Sequence, residues 1–168
     1  MGSREELSEA LVECLKEVGS LIEYANSITL RQRAGLVAND AEEIAVTSRA
    51  HEEILRRVSQ ADQRAAAIAT ELAQLVGVDP ENSDPNALAK AAGFPFSIMI
   101  KTEMEHVASL SEKLRRASKV NRRLLDNGLE ILTSCLRIIA DDPGPSSYSK
   151  DANMIPNGSH VLSLDMRV

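Results

Sequence analysis

The sequence predicts an all-α protein: an elongated antiparallel three-helix bundle or coiled coil with a mobile C-terminal tail. Three observations predict it. Apolar residues recur at alternating spacings of four and three over long proline-free stretches. The apolar set is mostly Leu, Ile, Val and Ala, with only Tyr24, Tyr148, Phe94 and Phe96 as aromatics and no Trp. Such side chains suffice for thin helical seams, whereas the wall of a deep globular pocket usually recruits aromatics. The boundaries between stretches carry the residues that start and stop helices. The chain divides on this reading into a helical bundle over residues 1–140 and a flexible tail over residues 141–168.

The first helix starts at a capping box, Ser3 with Glu6 three residues on. Leu7, Leu11, Cys14, Val18, Leu21, Ala25 and Ile28 form its seam, and Leu15 and Ile22 widen the stripe toward a second neighbour. It is expected to end near Arg33, before a break over residues 35–39. Asp40 then caps a second helix, with Glu43 at the third position. Its seam runs through Ile44, Thr47, His51, Ile54, Val58, Ala61, Ala65, Ile68, Leu72 and Leu75 to a stop at Gly77. In the connector, Asp84-Pro85 starts a short helix that Gly93 closes, and Phe94-Pro95-Phe96 is expected to plug the end of the bundle.

Ser97 is placed as the cap of a third long helix reaching about Ala140, roughly 65 Å at 1.5 Å per residue. Its core-facing candidates are Val107, Leu110, Leu114, Ala117, Asn121, Leu124, Gly128, Ile131, Cys135 and Ile138. The second half adds Leu125, Leu129, Leu132, Leu136 and Ile139, so from Leu124 onward the helix is apolar around most of its circumference. One long neighbour cannot cover that surface. Asn121 is a lone polar residue on the seam, of the kind that fixes register. Gly128 costs about 1 kcal/mol of helix stability relative to Ala. Surplus apolar surface beside these two departures has the look of a groove for a foreign helix, expected around Asn121, Leu124, Leu125, Gly128, Leu129, Leu132 and Leu136. The helix ends at Asp141-Asp142-Pro143-Gly144, and the remainder has no helical period.

Composition excludes several functions. A net charge of −6 disfavours bulk nucleic-acid binding. No apolar run approaches the roughly 20 residues that span a bilayer, and the N-terminus has no apolar core of a secretory signal. Cys14 and Cys135 lie far apart, outside any Cys-x-x-Cys, which fits a reducing cytoplasm; both fall on seams and are expected to be buried. Glu103-Met104-Glu105-His106 holds one Glu-x-x-His, and a di-iron bundle needs two, so no metal or other cofactor is expected. No phosphate loop, nucleophile elbow or zinc cluster is present, and no enzyme is expected. His51 is expected as a packed seam histidine. Lys113, Arg115, Arg116, Lys119, Arg122 and Arg123 span a stretch without an acid. They are read first as a solvated face pairing with the acidic first and second helices, with an acidic protein partner as the alternative and nucleic acid last.

The segment Val120-Asn121-Arg122-Arg123-Leu124-Leu125, then Gly128-Leu129, a helix end, a Ser/Pro-rich turn and Tyr148-Ser149-Lys150-Asp151, resembles the FlgN family of flagellar export chaperones. Members are similar in carrying an Asn just before a Leu-Leu pair on the last helix, and then a Tyr-containing tail. Where the family often has Gly after the Tyr stretch, this chain has Ala152-Asn153. The resemblance implies a cytoplasmic type III export chaperone. It would bind the C-terminal helices of flagellar hook-associated (hook–filament junction) proteins and deliver them to the cytoplasmic domain of the export gate. Tyr148 and Asp151 are the implied gate contacts. Tyr148 is also the only aromatic beyond Phe96, a large amphipathic side chain in a polar, Ser/Pro-rich segment. The alternative from another class is a structural coiled-coil scaffold or spacer with no export role.

Overall fold

A computed structural model describes residues 2–78 and 85–141, and all of the elements in those residues are helical. In chain order they are α1 (Arg4–Ala38), α2 (Ala41–Val76), α3 (Pro85–Ala92) and α4 (Phe96–Asp141). The chain clusters into two compact units, Met1–Leu125 and Asp126–Val168.

In the first unit the caps are set by the side chains that the sequence offers. The Glu6 N–H donates to Ser3 Oγ at 3.2 Å and the Ser3 N–H to Glu6 Oε2 at 2.7 Å, closing the capping box. α1 runs to Ala38, past the end expected near Arg33, because Gly35 is not a break. A Cβ at Gly35 would lie 3.2 Å from Glu43 Cγ, so the glycine lets the start of α2 pass close to α1. The turn falls at Asn39 instead, in the left-handed region at φ 52°, which Asn tolerates better than most residues. The Asp40 N–H donates back to the Gly35 carbonyl at 2.9 Å. Asp40 Oδ1 then accepts from Glu42 N–H and Glu43 N–H at 3.1 and 3.0 Å and starts α2. Gly77 ends α2 at φ 72°, as expected.

So short a connection forces α1 and α2 antiparallel. Gly35 lies against Glu43, Gln32 Nε2 donates to Ser48 Oγ at 3.0 Å, and Arg64 pairs with Glu17 at 2.8 Å. As residue numbers fall on α1 they rise on α2. Against α4 the order is reversed. Gly19 faces Val107, Asn26 Nδ2 donates to the Leu110 carbonyl at 3.2 Å, and Asn121 Nδ2 donates to the Thr29 carbonyl at 2.8 Å. Over this unit α4 therefore runs parallel to α1, as the last helix of an up-down-up bundle must.

The core consists of two apolar clusters along these helices. One gathers Leu7, Leu11, Val12, Ala65, Leu72 and Ile100 with Ala89 and Ala92 of α3. The other gathers Val18, Leu21, Ile22, Ala25, Ile28, Ile54, Ala61 and Leu110. The seam residues expected on α1 are buried except Cys14, which is half-buried against the first cluster. On α2, Thr47, Ile54, Ala61, Ala65 and Leu72 are buried, while Leu75 is exposed at the helix end. Fully buried Ala25 and Ala61 let the helices come close where Leu pairs would hold them apart.

Two local expectations are corrected. Phe94 does not plug the bundle: at the Gly93 turn (φ 80°) it is 84% exposed, and only Phe96 packs against the core. Cys135 is exposed rather than buried, because the seam it continues has no neighbour among the described residues at that level. The expected Asp84 cap and the tail residues 142–168 lie outside the described residues.

Candidate functional site

The residues expected to form a partner groove divide between the two units. In the first, Asn121 is 3% exposed and its amide is used inside the chain. Nδ2 donates to the Thr29 carbonyl and, at 3.0 Å, to Gln32 Oε1. It faces α1, in keeping with its place among the core-facing candidates of the seam, at the bundle end of the expected groove. Leu124 is half-buried and Leu125 is 41% exposed.

The second unit is different in kind. Its described residues are the last turns of α4, and every residue from 129 to 140 is exposed. Leu129, Ile131, Leu132, Leu136, Ile138 and Ile139 are each 61–70% exposed. Water-facing aliphatic surface of that density on one short stretch is unusual and commonly marks a contact site. Covering such a side chain fully is worth about 1.5–3 kcal/mol, so six supply on the order of 10 kcal/mol gross. Ordering and immobilisation on binding offset part of that. Two hydroxyls on the polar side of the stretch bond to their own helix. Thr133 Oγ1 donates to the Leu129 carbonyl at 2.8 Å and Ser134 Oγ to the Glu130 carbonyl at 2.9 Å. A Cβ at Gly128 would meet nothing within 4 Å, so no part of the described chain uses the space that this glycine leaves.

Ile131, Ile138 and Ile139 belong to this surface, though the expected groove omits them. The signal for Ile131 and Ile138 was present: they continue the seam of Asn121 and Leu124 at spacings of four and three. Read from sequence alone, that regularity assigned them to the core.

Electrostatics adds little to the surface. The basic stretch of α4 was expected to pair with α1 and α2, yet Arg115 and Arg116 both bind Glu112 on their own helix, at 2.8 and 2.7 Å. Their hydrogen bonds, Arg115 first, hold the Glu112 carboxyl down to about 2. Between α3 and α4 lies an open groove of about 740 Å³ lined by Asn86, Lys90, Ser97, Ile98, Lys101 and Glu105 among others. Lys101 and Glu105 stand 3.9 Å apart within it. Glu103 and His106 are 3.9 Å apart, and among the described residues no three His, Cys, Asp or Glu side chains come together as metal ligands would. No helix among the described residues is long and apolar enough to cross a membrane.

The described residues thus combine packed helices with an uncovered aliphatic stretch at the end of α4. The family model described as FlgN protein matches residues 1–155. The chain belongs to the FlgN family. Membership makes it one of the flagellar export chaperones, proteins of flagellum assembly that bind other flagellar proteins. The matched range contains the whole of α4 and extends over Tyr148 and Asp151, which lie outside the described residues. No curated protein and no solved structure matches the chain.

Proposed function

We propose that this FlgN-family chain is a cytoplasmic type III export chaperone for hook–filament junction proteins. It holds their C-terminal helices on the exposed face of α4 and delivers them to the cytoplasmic domain of the export gate through Tyr148 and Asp151. The observation that carries the reading is the run of six exposed aliphatics between Leu129 and Ile139. An amphipathic helix lays its apolar face on such a surface by the helix-in-groove mode. Leu125 and Gly128 adjoin the run in sequence, and Asn121 holds the register of α4 on α1 through its bond to the Thr29 carbonyl. Tyr148 suits a short docking motif because its ring is large and amphipathic and loses few rotors on binding.

Calorimetry with a junction-protein C-terminal fragment tests the substrate half. Leu136→Arg places a charge where the complex would be dry, and is expected to weaken binding at least a hundredfold while the free chain melts normally. Unchanged binding would place the substrate site elsewhere. A pull-down with the gate's cytoplasmic domain tests the other half. Tyr148→Ala is expected to lose gate binding while keeping substrate affinity and melting temperature. Intact gate binding with a lowered melting temperature would mean instead that Tyr148 covers its own chain.

A further inference from the structure

We infer that the exposed end of α4 is built to receive two helices of one partner chain side by side, not a single helix. The inference rests on the reading of this surface as the substrate site, and deepens it by fixing the form of the occupant.

The argument is one of periodicity and exposure. Leu129, Leu132, Leu136 and Ile139 step by three, four and three, which is one complete heptad seam. Ile131, Cys135 and Ile138 step by four and three and make a second seam, one residue out of phase with the first. Together the seams occupy four of the seven heptad positions, whereas a strict two-stranded coiled coil uses two. All seven side chains are exposed. One docking helix covers one seam and leaves the other wet. Two helices, one on each seam, cover both.

The uncovered stretch also argues against a second copy of this chain as the occupant. A single seam here holds at most four residues over about 16 Å. That is well short of the three to four heptads over which a self-sufficient coil is recognised. Two copies pairing seam to seam would bury one seam each and leave the other exposed on both. Closure among identical chains needs at least three of them, while a partner that brings two helices closes at one to one. The flanks shape the partner further. Thr133 and Ser134, on the polar side at the middle of the stretch, are uncharged and bonded to their own helix. The partner's helices are therefore selected by apolar heptad spacing more than by flanking charge.

The experiment uses the full chain and a junction-protein C-terminal fragment carrying two amphipathic helices. One double variant, Leu132→Gln with Leu136→Gln, breaks the first seam. The other, Ile131→Gln with Ile138→Gln, breaks the second. Gln has nearly the helix propensity of these residues and the positions are exposed, so circular dichroism of the free variants is expected to match the wild type. Each double variant is expected to weaken the one-to-one complex by about tenfold or more. A fragment cut back to one helix is expected to bind more weakly and to sense only one of the two variants. If one seam variant binds the two-helix fragment as well as wild type while the other fails, a single helix docks; the inference falls and the chaperone reading stands. If neither variant matters, or the fragment does not bind, the site itself is wrong and both fall. If the free chain is a trimer or larger oligomer that both variants dissolve, the occupant is further copies of this chain and the inference is overturned.

Discussion

Asn121 Nδ2 donates to the Thr29 carbonyl at 2.8 Å, a bond that ties α4 to α1 across 92 positions of sequence. The same nitrogen reaches Gln32 Oε1, so both of its donor positions are used, while Oδ1 is buried without a partner. Such a residue fixes one register and costs stability in any other. Asn121→Ala removes two hydrogen bonds and leaves Gln32 and the Thr29 carbonyl to find water. A loss of about 1–3 kcal/mol is expected in urea unfolding. Because Asn121 faces inward, affinity for a partner fragment, measured where the variant is fully folded, is expected to stay within about twofold. A loss of affinity without a loss of stability would return Asn121 to the binding surface.

Two glycines are expected to answer Ala substitution with opposite signs. Gly77 sits at φ 72° with open space around it, so Gly77→Ala pays only for the left-handed backbone, about 1 kcal/mol. Gly128 lies inside α4, where the added Cβ also meets nothing within 4 Å. Gly128→Ala is expected to firm the helix by about 0.5–1 kcal/mol. Thermal melts read the first, and amide exchange over residues 126–140 reads the second. Faster exchange in Gly128→Ala would contradict the helical backbone there.

His51 gives the bundle a dependence on pH. Burial pushes its imidazole below the ordinary value of 6.5, and Nε2 is buried without a partner. The folded state thus binds the proton less readily than the unfolded chain. Stability from this source is present above about 6.5 and is lost as pH falls through that value toward the lower folded one. Urea midpoints are expected to be lower at pH 5 than at pH 7, and His51→Gln to flatten that difference. A midpoint that rises on acidification would show a partner that stabilises the charged ring.

Much of the fold was legible because it is written in short-range chemistry. Ser3 with Glu6, Asp40 and Gly77 each act within four residues of where they stand, and each cap formed as expected. The α1 seam was legible for a related reason: a four-three repeat buries itself wherever a neighbour exists. Gly35 was misread because its role is to admit Glu43 from the next helix, a tertiary fact with no local signature. Phe94 was misread because apolar character predicts burial only where something is there to cover it. The outer surface shows the same limit. Ile131 and Ile138 share the period of Leu110 and Asn121, yet only the latter two meet other helices. Periodicity says which side chains face together, and not whether a neighbour is present.

That distinction separates Leu72 from Leu136. Leu72 is fully buried in the core cluster shared with Leu11 and Ile100, and nothing of it touches water. Leu72→Ala leaves a cavity that rigid helices close only in part, at a cost of about 2–5 kcal/mol. Leu136 sits on an equally regular seam but is 64% exposed. Leu136→Ala removes apolar surface that water already covers and improves local helix propensity slightly, so stability is expected to change by less than about 0.5 kcal/mol. The order reverses in the complex. A folded Leu72→Ala chain keeps its partner surface and is expected to bind as the wild type does, while Leu136→Ala weakens the partner complex by about tenfold or more. Denaturant unfolding and titration of both variants with the same partner fragment check the pair. A destabilisation of Leu136→Ala in the free chain comparable with that of Leu72→Ala would mean that the end of α4 is already covered, and that the aliphatic run belongs to the protein's own core.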